Sequence, residues 1–188
     1  MTELTRSIKH EDEVKTMQCA MHSTEQAVAR MRAAIESGMS EIDIWAVRLY
    51  QSIKRGGERI ETRLLSTGPR IHPWFRECSH RIVQPSEIVA FDTDLIGPYG
   101  MCCDISRTWW IGDENPHGEL IDATRIAHDH LMHNMALLRP GRHFSDLTAA
   151  LHKLPDNCQR LKYVWVCAMN GRSSHTPISG PKVPLTAN

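Results

Sequence analysis

Apolar residues recur every three or four positions near the start of the chain, which is the spacing of one face of an α-helix. This pattern predicts a long helix over residues 11–37. Ser40 and Asp43 have the spacing of a capping box, in which each side chain bonds to the other residue's backbone amide, and they predict the start of a second helix. Two further helices are predicted over 116–138 and 146–154, with Ser145 as the cap of the second of these.

Between the second and third helices, short apolar stretches bounded by Gly, Pro and Ser are typical of β-strands. They predict strands at 60–66, 87–96 and 101–111. The element order is then α, α, β, β, β, α, α. This order predicts an α+β fold in which helices pack on a mostly antiparallel sheet.

The composition is that of an ordinary globular domain, with 41% hydrophobic and 23% charged residues. The 22 basic residues balance the 22 acidic ones, so no excess of charge favours nucleic acid or an anionic membrane. No apolar run approaches the roughly 18 residues that a membrane span needs, and the charged opening stretch does not resemble a secretory signal. We therefore expect a cytoplasmic protein with neither a nucleic-acid nor a membrane partner.

The segment 87–110 places acids inside apolar strands, where an unpaired carboxylate is costly. Asp92 and Asp94 are two residues apart, so they share one face of a strand. A three-residue turn that ends at Gly100, in the left-handed position where such turns favour glycine, brings Asp104 opposite Asp94. The turn therefore predicts three carboxylates on one face of a hairpin.

Converging carboxylates repel one another unless a cation lies between them. Oxygen ligands suit hard or borderline divalent ions, and several carboxylates suit a two-metal site. The residues alone leave an alternative, in which the acids are exposed at a strand edge or paired with Arg81 or Arg107. The predicted metal ligands are Asp92, Asp94 and Asp104.

The same segment, FDTDLIGPYGMCCDISRTWW, resembles the first metal-binding hairpin of the pita-bread metalloenzymes, the family of methionine aminopeptidase, aminopeptidase P, prolidase and creatinase. S-T-G-P-R before the strand and R-P-G after the third helix also match that family. The resemblance covers about residues 8–154 and implies that they form the first half of a pita-bread catalytic domain. It also implies that Asp92 and Asp104 are the family's two Asp ligands to a divalent metal pair (Fe, Zn or Mn).

Two departures from the peptidase pattern resemble the branch of this family that cleaves dimethylsulfoniopropionate, the DddP-type lyases. Asp94 is an additional acid, and Phe75 stands where the peptidases have a substrate-contacting His. The branch implies β-elimination of a small-molecule substrate to dimethyl sulfide and acrylate. Because a sulfonium cation suits an aromatic face, Trp74, Trp109 and Trp110 are the predicted substrate-binding residues, with core packing as the alternative for a tryptophan in a strand.

The family completes its site with a His and two Glu ligands from the second half of the fold. No residue of this chain matches any of these three ligands of the family. No Glu follows Glu119. The catalytic base is therefore unknown, and we expect a truncated lyase that is inactive by itself. The alternatives are an Xaa-Pro aminopeptidase or prolidase-type metallopeptidase, and a non-catalytic half-domain that associates with another chain, for example as a homodimer.

The last part of the chain, 155–188, has a single acid, Asp156, and many Gly, Ser and Pro residues. This composition predicts a disordered tail. A second interpretation is a frameshift near Tyr163, because the stretch 164–177 can be back-translated into a lyase-like sequence in another reading frame.

The third predicted helix contains the sequence HDHLMH, with His128, His130 and His133. His130 and His133 are neighbours on one helix face, as zinc ligands often are. Because the sequence shows no third ligand, a solvated helix face is the favoured interpretation.

Overall fold

The computed structural model describes residues 7–60, 62–72, 76–153, 161–163 and 177–179. The chain divides into two compact units, the first mainly up to Asn115 and the second beginning at Pro116. Among the described residues, the first unit holds two α-helices and six strands, and it carries the predicted carboxylates. None of the described helices is both long enough and apolar enough to cross a membrane.

Helix α1 spans Glu11–Ala34, close to the predicted 11–37. His10 caps its start: the His10 ring accepts a hydrogen bond from the Asp12 amide, and the Glu13 side chain accepts one from the His10 amide. The helix buries one face, whose residues are Ala20, Thr24, Ala27, Val28 and Met31.

Helix α2 spans Glu41–Lys54 and begins at the predicted capping box. The Asp43 amide donates a hydrogen bond to the Ser40 hydroxyl at 3.1 Å, and the Ser40 amide donates one to the Asp43 carboxylate at 3.0 Å. These two bonds satisfy amides that a helix start leaves unpaired, and they confirm the second predicted helix.

Six short strands follow, and every pairing between them is antiparallel. They are β1 (Arg59–Ile60), β2 (Leu65–Thr67), β3 (Glu87–Phe91), β4 (Asp94–Ile96), β5 (Cys102–Asp104) and β6 (Arg107–Ile111). One three-stranded sheet has the order β1–β4–β5, and another has the order β2–β3–β6. This arrangement confirms the α+β fold with a mostly antiparallel sheet.

Two of the predicted strands are broken where the acids lie. The predicted strand 87–96 splits into β3 and β4 at Asp92 and Thr93, and 101–111 splits into β5 and β6 next to Ser106. The Asp92 carboxylate accepts hydrogen bonds from the Thr93 amide at 3.0 Å and from the Ser106 hydroxyl at 2.6 Å. Because a short polar side chain that bonds to nearby backbone competes with strand pairing, the ladders are interrupted at this point.

The two helices form the main core with the β2–β3–β6 sheet. Phe91 is fully buried there, and its ring centroid lies 5.8 Å from that of Trp45 and 6.0 Å from that of Trp109. A smaller cluster connects α1 to the β4–β5 hairpin through Ala20, Leu95 and Cys103. The β4–β5 hairpin, called the carboxylate hairpin because it carries Asp94 and Asp104, is therefore held in place by its packing against α1.

In the second unit, α3 spans Gly118–Leu137 and α4 spans Phe144–Ala150. The sequence predicts Ser145 as the cap of the fourth helix, and this is wrong. The first helical hydrogen bond runs from the Leu147 amide to the His143 carbonyl at 3.0 Å, so His143 is the cap residue and the helix begins two residues early.

Strands β7 (Leu161–Tyr163) and β8 (Pro177–Ser179) pair antiparallel in the second unit. The rest of 155–188 lies outside the described residues, and so does the stretch on which the frameshift hypothesis rests. The predictions of a disordered or out-of-frame tail therefore stay predictions.

Candidate metal centre

The turn between β4 and β5 has the predicted geometry. The Gly97 amide donates a hydrogen bond to the Met101 carbonyl at 2.8 Å, so three residues form the loop between them. Gly100 has a φ of 68°, a left-handed conformation that glycine adopts without strain, and Tyr99 shares it with a φ of 65°. A Cβ atom added to Gly97 would lie 2.9 Å from the Cβ of Ala20, so glycine there allows α1 to approach the hairpin.

The turn brings three carboxylates together. Asp94 of β4 is directly opposite Asp104 of β5, and both are half-buried. Asp92 follows β3 and is only 3% exposed, and a side-chain hydrogen bond joins it to Asp104. The convergence that the hairpin pattern predicts is therefore present, and metal binding by these residues stays a prediction.

The electrostatics of the cluster follow from this crowding. Burial raises the pKa of Asp104 to about 7, and the negative charges of Asp92 and Asp94 add to the effect. A carboxyl group that keeps its proton near neutral pH donates a hydrogen bond to its ionised neighbour, which relieves part of the repulsion. A divalent cation would therefore compete with the proton of Asp104 for the same carboxylate oxygen atoms.

Ser106 is a site residue that the sequence analysis missed. Its hydroxyl donates the 2.6 Å hydrogen bond to Asp92 and so holds the orientation of that carboxylate. The available signal was its position in D-I-S-R-T, two residues after Asp104 and on the same side of an ideal strand.

The alternative partners for the acids are engaged elsewhere. Arg81 donates two hydrogen bonds to the Glu87 carboxylate, at 2.6 and 2.7 Å. Arg107 donates to the backbone carbonyl of Ser106 at 2.7 Å. These contacts favour a carboxylate cluster over a set of arginine ion pairs.

The chemistry of the cluster fits a divalent cation only in part. Three carboxylates offer the oxygen ligands that hard and borderline divalent ions bind. Within the described ranges, however, no group of three or more His, Cys, Asp or Glu side chains is already arranged to hold a metal ion. Asp92, Asp94 and Asp104 would thus supply part of a ligand set, as expected from the missing His and Glu ligands.

The structure separates the three predicted substrate-binding tryptophans. Trp109 lies on the helix-facing side of β6, stacked on Phe91, with the Arg32 guanidinium 5.9 Å from its ring centroid. This is the core packing that was the alternative for a strand tryptophan. Trp110 is on the opposite face and donates from its indole nitrogen to the Glu114 carbonyl at 2.8 Å. Trp74 lies outside the described residues.

Relatives with similar sequences agree with the resemblance found in the sequence. The proteins named dimethylsulfoniopropionate lyase DddP from Roseovarius nubinhibens and Roseobacter denitrificans are 50% and 46% identical to the chain over 176 residues. Each match covers 91% of this chain and 39% of the relative. The chain therefore spans about two fifths of the length of these relatives.

Solved structures show the same fold at lower identity. Prolidase from Pyrococcus furiosus superimposes with a TM-score of 0.72 at 19% identity, over 79% of this chain and 44% of that one. X-Pro aminopeptidase from Thermotoga maritima has a TM-score of 0.64 at 23% identity, over 71% of this chain and 37% of that one. The sequence model of metallopeptidase family M24 matches residues 15–173. The chain thus belongs to metallopeptidase family M24 and carries part of its pita-bread fold.

Proposed function

We propose that this chain carries the first part of a metal-dependent lyase that cleaves dimethylsulfoniopropionate to dimethyl sulfide and acrylate. The observation that carries this proposal is the 50% identity, over 91% of the chain, to a protein named as that lyase. By contrast, the prolidase from Pyrococcus furiosus and the X-Pro aminopeptidase from Thermotoga maritima share the fold at only 19% and 23% identity. The additional acid Asp94, opposite Asp104, also supports a lyase rather than a peptidase.

In the proposed reaction a base removes a proton from the carbon next to the substrate carboxylate. The C–H electron pair forms the carbon–carbon double bond, the C–S bond breaks, and dimethyl sulfide leaves with that bond's electron pair. A bound divalent pair (Fe, Zn or Mn) would supply Lewis-acid stabilisation of the charge that develops on the carboxylate. The base is expected from the part of the relatives that this chain does not match, so we propose no activity for this chain alone.

The residues of this chain would hold and orient the reacting groups. Asp92, Asp94 and Asp104 would bind the metal pair, and the hydroxyl of Ser106 would keep Asp92 in its ligand orientation. Trp110 is on the sheet face away from the helices and is the better placed candidate for the sulfonium cation. Trp74 and Trp109 were also predicted for this role.

An Xaa-Pro aminopeptidase or prolidase-type activity is the second candidate. It is supported by the fold shared with prolidase from Pyrococcus furiosus, with a TM-score of 0.72. A non-catalytic half-domain is the third. We also propose a cytoplasmic location. The balanced net charge supports the absence of nucleic-acid and anionic-membrane partners, and association as a homodimer would cover apolar surface.

The test is a chimera in which this chain replaces the matched segment of the Roseovarius nubinhibens relative. Loaded separately with Fe²⁺, Mn²⁺ or Zn²⁺, the chimera should release dimethyl sulfide, measured by headspace gas chromatography, and this chain alone should not exceed a blank without protein. Asp92→Asn should abolish release, whereas Asp113→Asn, an exposed acid outside the hairpin, should leave it unchanged. A folded, metal-loaded chimera that hydrolyses Xaa-Pro dipeptides and releases no dimethyl sulfide would establish the peptidase candidate instead.

A further inference from the structure

Three imidazole rings meet in the second unit, where the chain leaves α4. His130 and His133 are one helical turn apart on α3, and His152 follows α4 by two residues. The ring centroid of His152 lies 5.7 Å from that of His130 and 5.3 Å from that of His133. The sequence analysis favoured a solvated helix face because no third ligand was apparent. The structure places His152 next to the other two rings, where a third ligand would lie.

Hydrogen bonds to α3 hold the third histidine in place. The His152 amide donates to the side-chain oxygen of Asn134 at 3.0 Å. The side-chain nitrogen of the same Asn134 lies 2.9 Å from Nε2 of His130. One asparagine therefore connects the backbone of His152 to the ring of His130, so the approach of the rings follows from packing within this unit.

These contacts also set the protonation pattern of the two α3 rings. An amide NH₂ group only donates, so Nε2 of His130 accepts from Asn134 and carries a lone pair. Nε2 of His133 lies 3.0 Å from the Ala150 carbonyl, which only accepts, so that nitrogen is the donor and, in the neutral ring, Nδ1 carries the lone pair. Both rings thus present one nitrogen with a lone pair, the form in which imidazole binds a metal.

The spacing of the rings is close to that of imidazoles around one metal ion. With a Zn–N distance of about 2.0–2.1 Å and a tetrahedral angle, two ligand rings have centroids about 5 Å apart. The distances of 5.3 and 5.7 Å to His152 are slightly longer. His130 and His152 are half-buried and His133 is exposed, so an ion can reach the rings from solvent.

We propose that His130, His133 and His152 form a binding site for a borderline divalent transition metal ion such as Zn²⁺, Cu²⁺ or Ni²⁺. Imidazole ligands favour these ions, whereas the carboxylates of the hairpin favour harder ones. In the described part of the chain the rings are not yet arranged as a ligand set. Binding therefore reorients the rings and replaces the Asn134 contact at Nε2 of His130 with a bond to the ion, whereas Nδ1 of His133 can bind the ion while its Nε2 keeps the Ala150 contact. The fourth position is left to water.

The test is titration of the full chain with Cu²⁺, followed by pulsed electron paramagnetic resonance, which detects nitrogen atoms of coordinated imidazole. One equivalent should bind with several imidazole ligands, and His152→Gln should weaken its binding at least tenfold. His128→Gln is the matched control, because His128 lies on the same helix but its side chain is 67% exposed and contacts Asp129. Circular dichroism checks that each variant is folded, and His133→Gln provides the second test should His152→Gln unfold.

Two outcomes would overturn the proposal. One is unchanged affinity and unchanged imidazole signals in both His133→Gln and His152→Gln. The other is an equal loss of binding in His128→Gln, which would indicate unspecific binding to surface histidines. Asp104→Asn should leave this binding unchanged, so the outcome is independent of the proposed lyase function and of the carboxylate hairpin.

Discussion

Asp94 lies directly opposite Asp104 across the ladder between β4 and β5. Two like charges in directly opposed positions destabilise a pair of strands, and the buried carboxylate of Asp92 adds a third acid to the same place. The hairpin keeps this arrangement because α1 packs beneath it and because Ser106 and the Thr93 amide donate to Asp92. Repulsion between these carboxylates thus lowers the stability of the hairpin, and a bound cation would reduce that repulsion.

Asp104→Asn should stabilise the chain in a chelator solution at pH 8 and change its stability little at pH 4. The pKa of Asp104 is raised from 3.8 to about 7 in the folded chain. The folded state therefore keeps a proton that the unfolded state releases as the pH rises above about 4, and stability falls until the pH passes about 7. Asn removes this penalty and still donates a hydrogen bond to Asp92.

Thermal unfolding at the two pH values measures the effect. Glu25→Gln, an exposed acid on α1, should shift the melting temperature little at either pH. The same stabilisation by Asp104→Asn at pH 4 and pH 8 would contradict the assigned cause.

Ser106→Ala should weaken binding of Mn²⁺ to the chain by about tenfold, because residues that orient a metal ligand typically contribute 10- to 100-fold to affinity. The Ser106 hydroxyl donates to Asp92 at 2.6 Å, and alanine leaves that carboxylate free to turn. Isothermal titration calorimetry gives the affinities. Ser145→Ala on exposed α4 is the control, and equal affinities for Ser106→Ala and the unchanged chain would show that Ser106 does not position the ligand.

Arg48→Met should stabilise the chain by about 1–2 kcal/mol at pH 7, as replacement of a buried charge by an apolar side chain often does. Arg48 is fully buried, and its guanidinium nitrogen atoms have no hydrogen-bond partner in the described structure. Burial lowers the pKa of Arg48 to about 10. The rings of Trp45 and Phe91, 5.4 and 6.0 Å from the guanidinium carbon, offset only part of the lost hydration.

The gain in stability expected for Arg48→Met depends on the positive charge of the Arg48 guanidinium. Because the pKa is lowered, the penalty is complete well below pH 10 and diminishes as the pH rises above about 10. Urea unfolding at pH 6 and pH 8.5 should therefore give the same gain for Arg48→Met. Arg30→Met, at an exposed position of α1, should change stability by less than about 0.5 kcal/mol. A loss of stability in Arg48→Met would show that the guanidinium is satisfied by groups such as buried water.

Glu41→Gln should destabilise the chain by about 2–4 kcal/mol, since it leaves buried donors without an acceptor. One oxygen of the fully buried Glu41 accepts from the Thr67 amide at 2.8 Å, and the other accepts from the Ser79 amide at 2.9 Å and from the Arg70 guanidinium. In Glu41→Gln an amide NH₂ group replaces one of these oxygens. It then faces N–H donors, with which it cannot form a hydrogen bond. Urea unfolding measures the loss, with Glu25→Gln as the control, and equal stabilities of the two variants would contradict the role of this network.

Local chemistry accounts for what the sequence predicts well. The Ser40–Asp43 capping box, the left-handed Gly100 and the pairing of Asp94 with Asp104 across the three-residue turn each depend on residues that are near one another in the sequence. Such short-range interactions form in the same way in many folds. These local patterns were therefore sufficient to predict the second helix and the hairpin and to identify the resemblance to the M24 family.

Long-range packing decided the rest. The sequence alone does not show that Trp109 faces the helices, that Arg48 is buried between two aromatic rings, or that Ser106 holds Asp92 across a break in the strands. His152 meets His130 and His133 only because the chain after α3 turns back and brings Ala150 and His152 into contact with that helix. The sequence by itself determined the helices, the hairpin and its acids, because these depend on neighbouring residues. Only the tertiary structure decided which side chains meet, because those contacts join residues far apart along the chain.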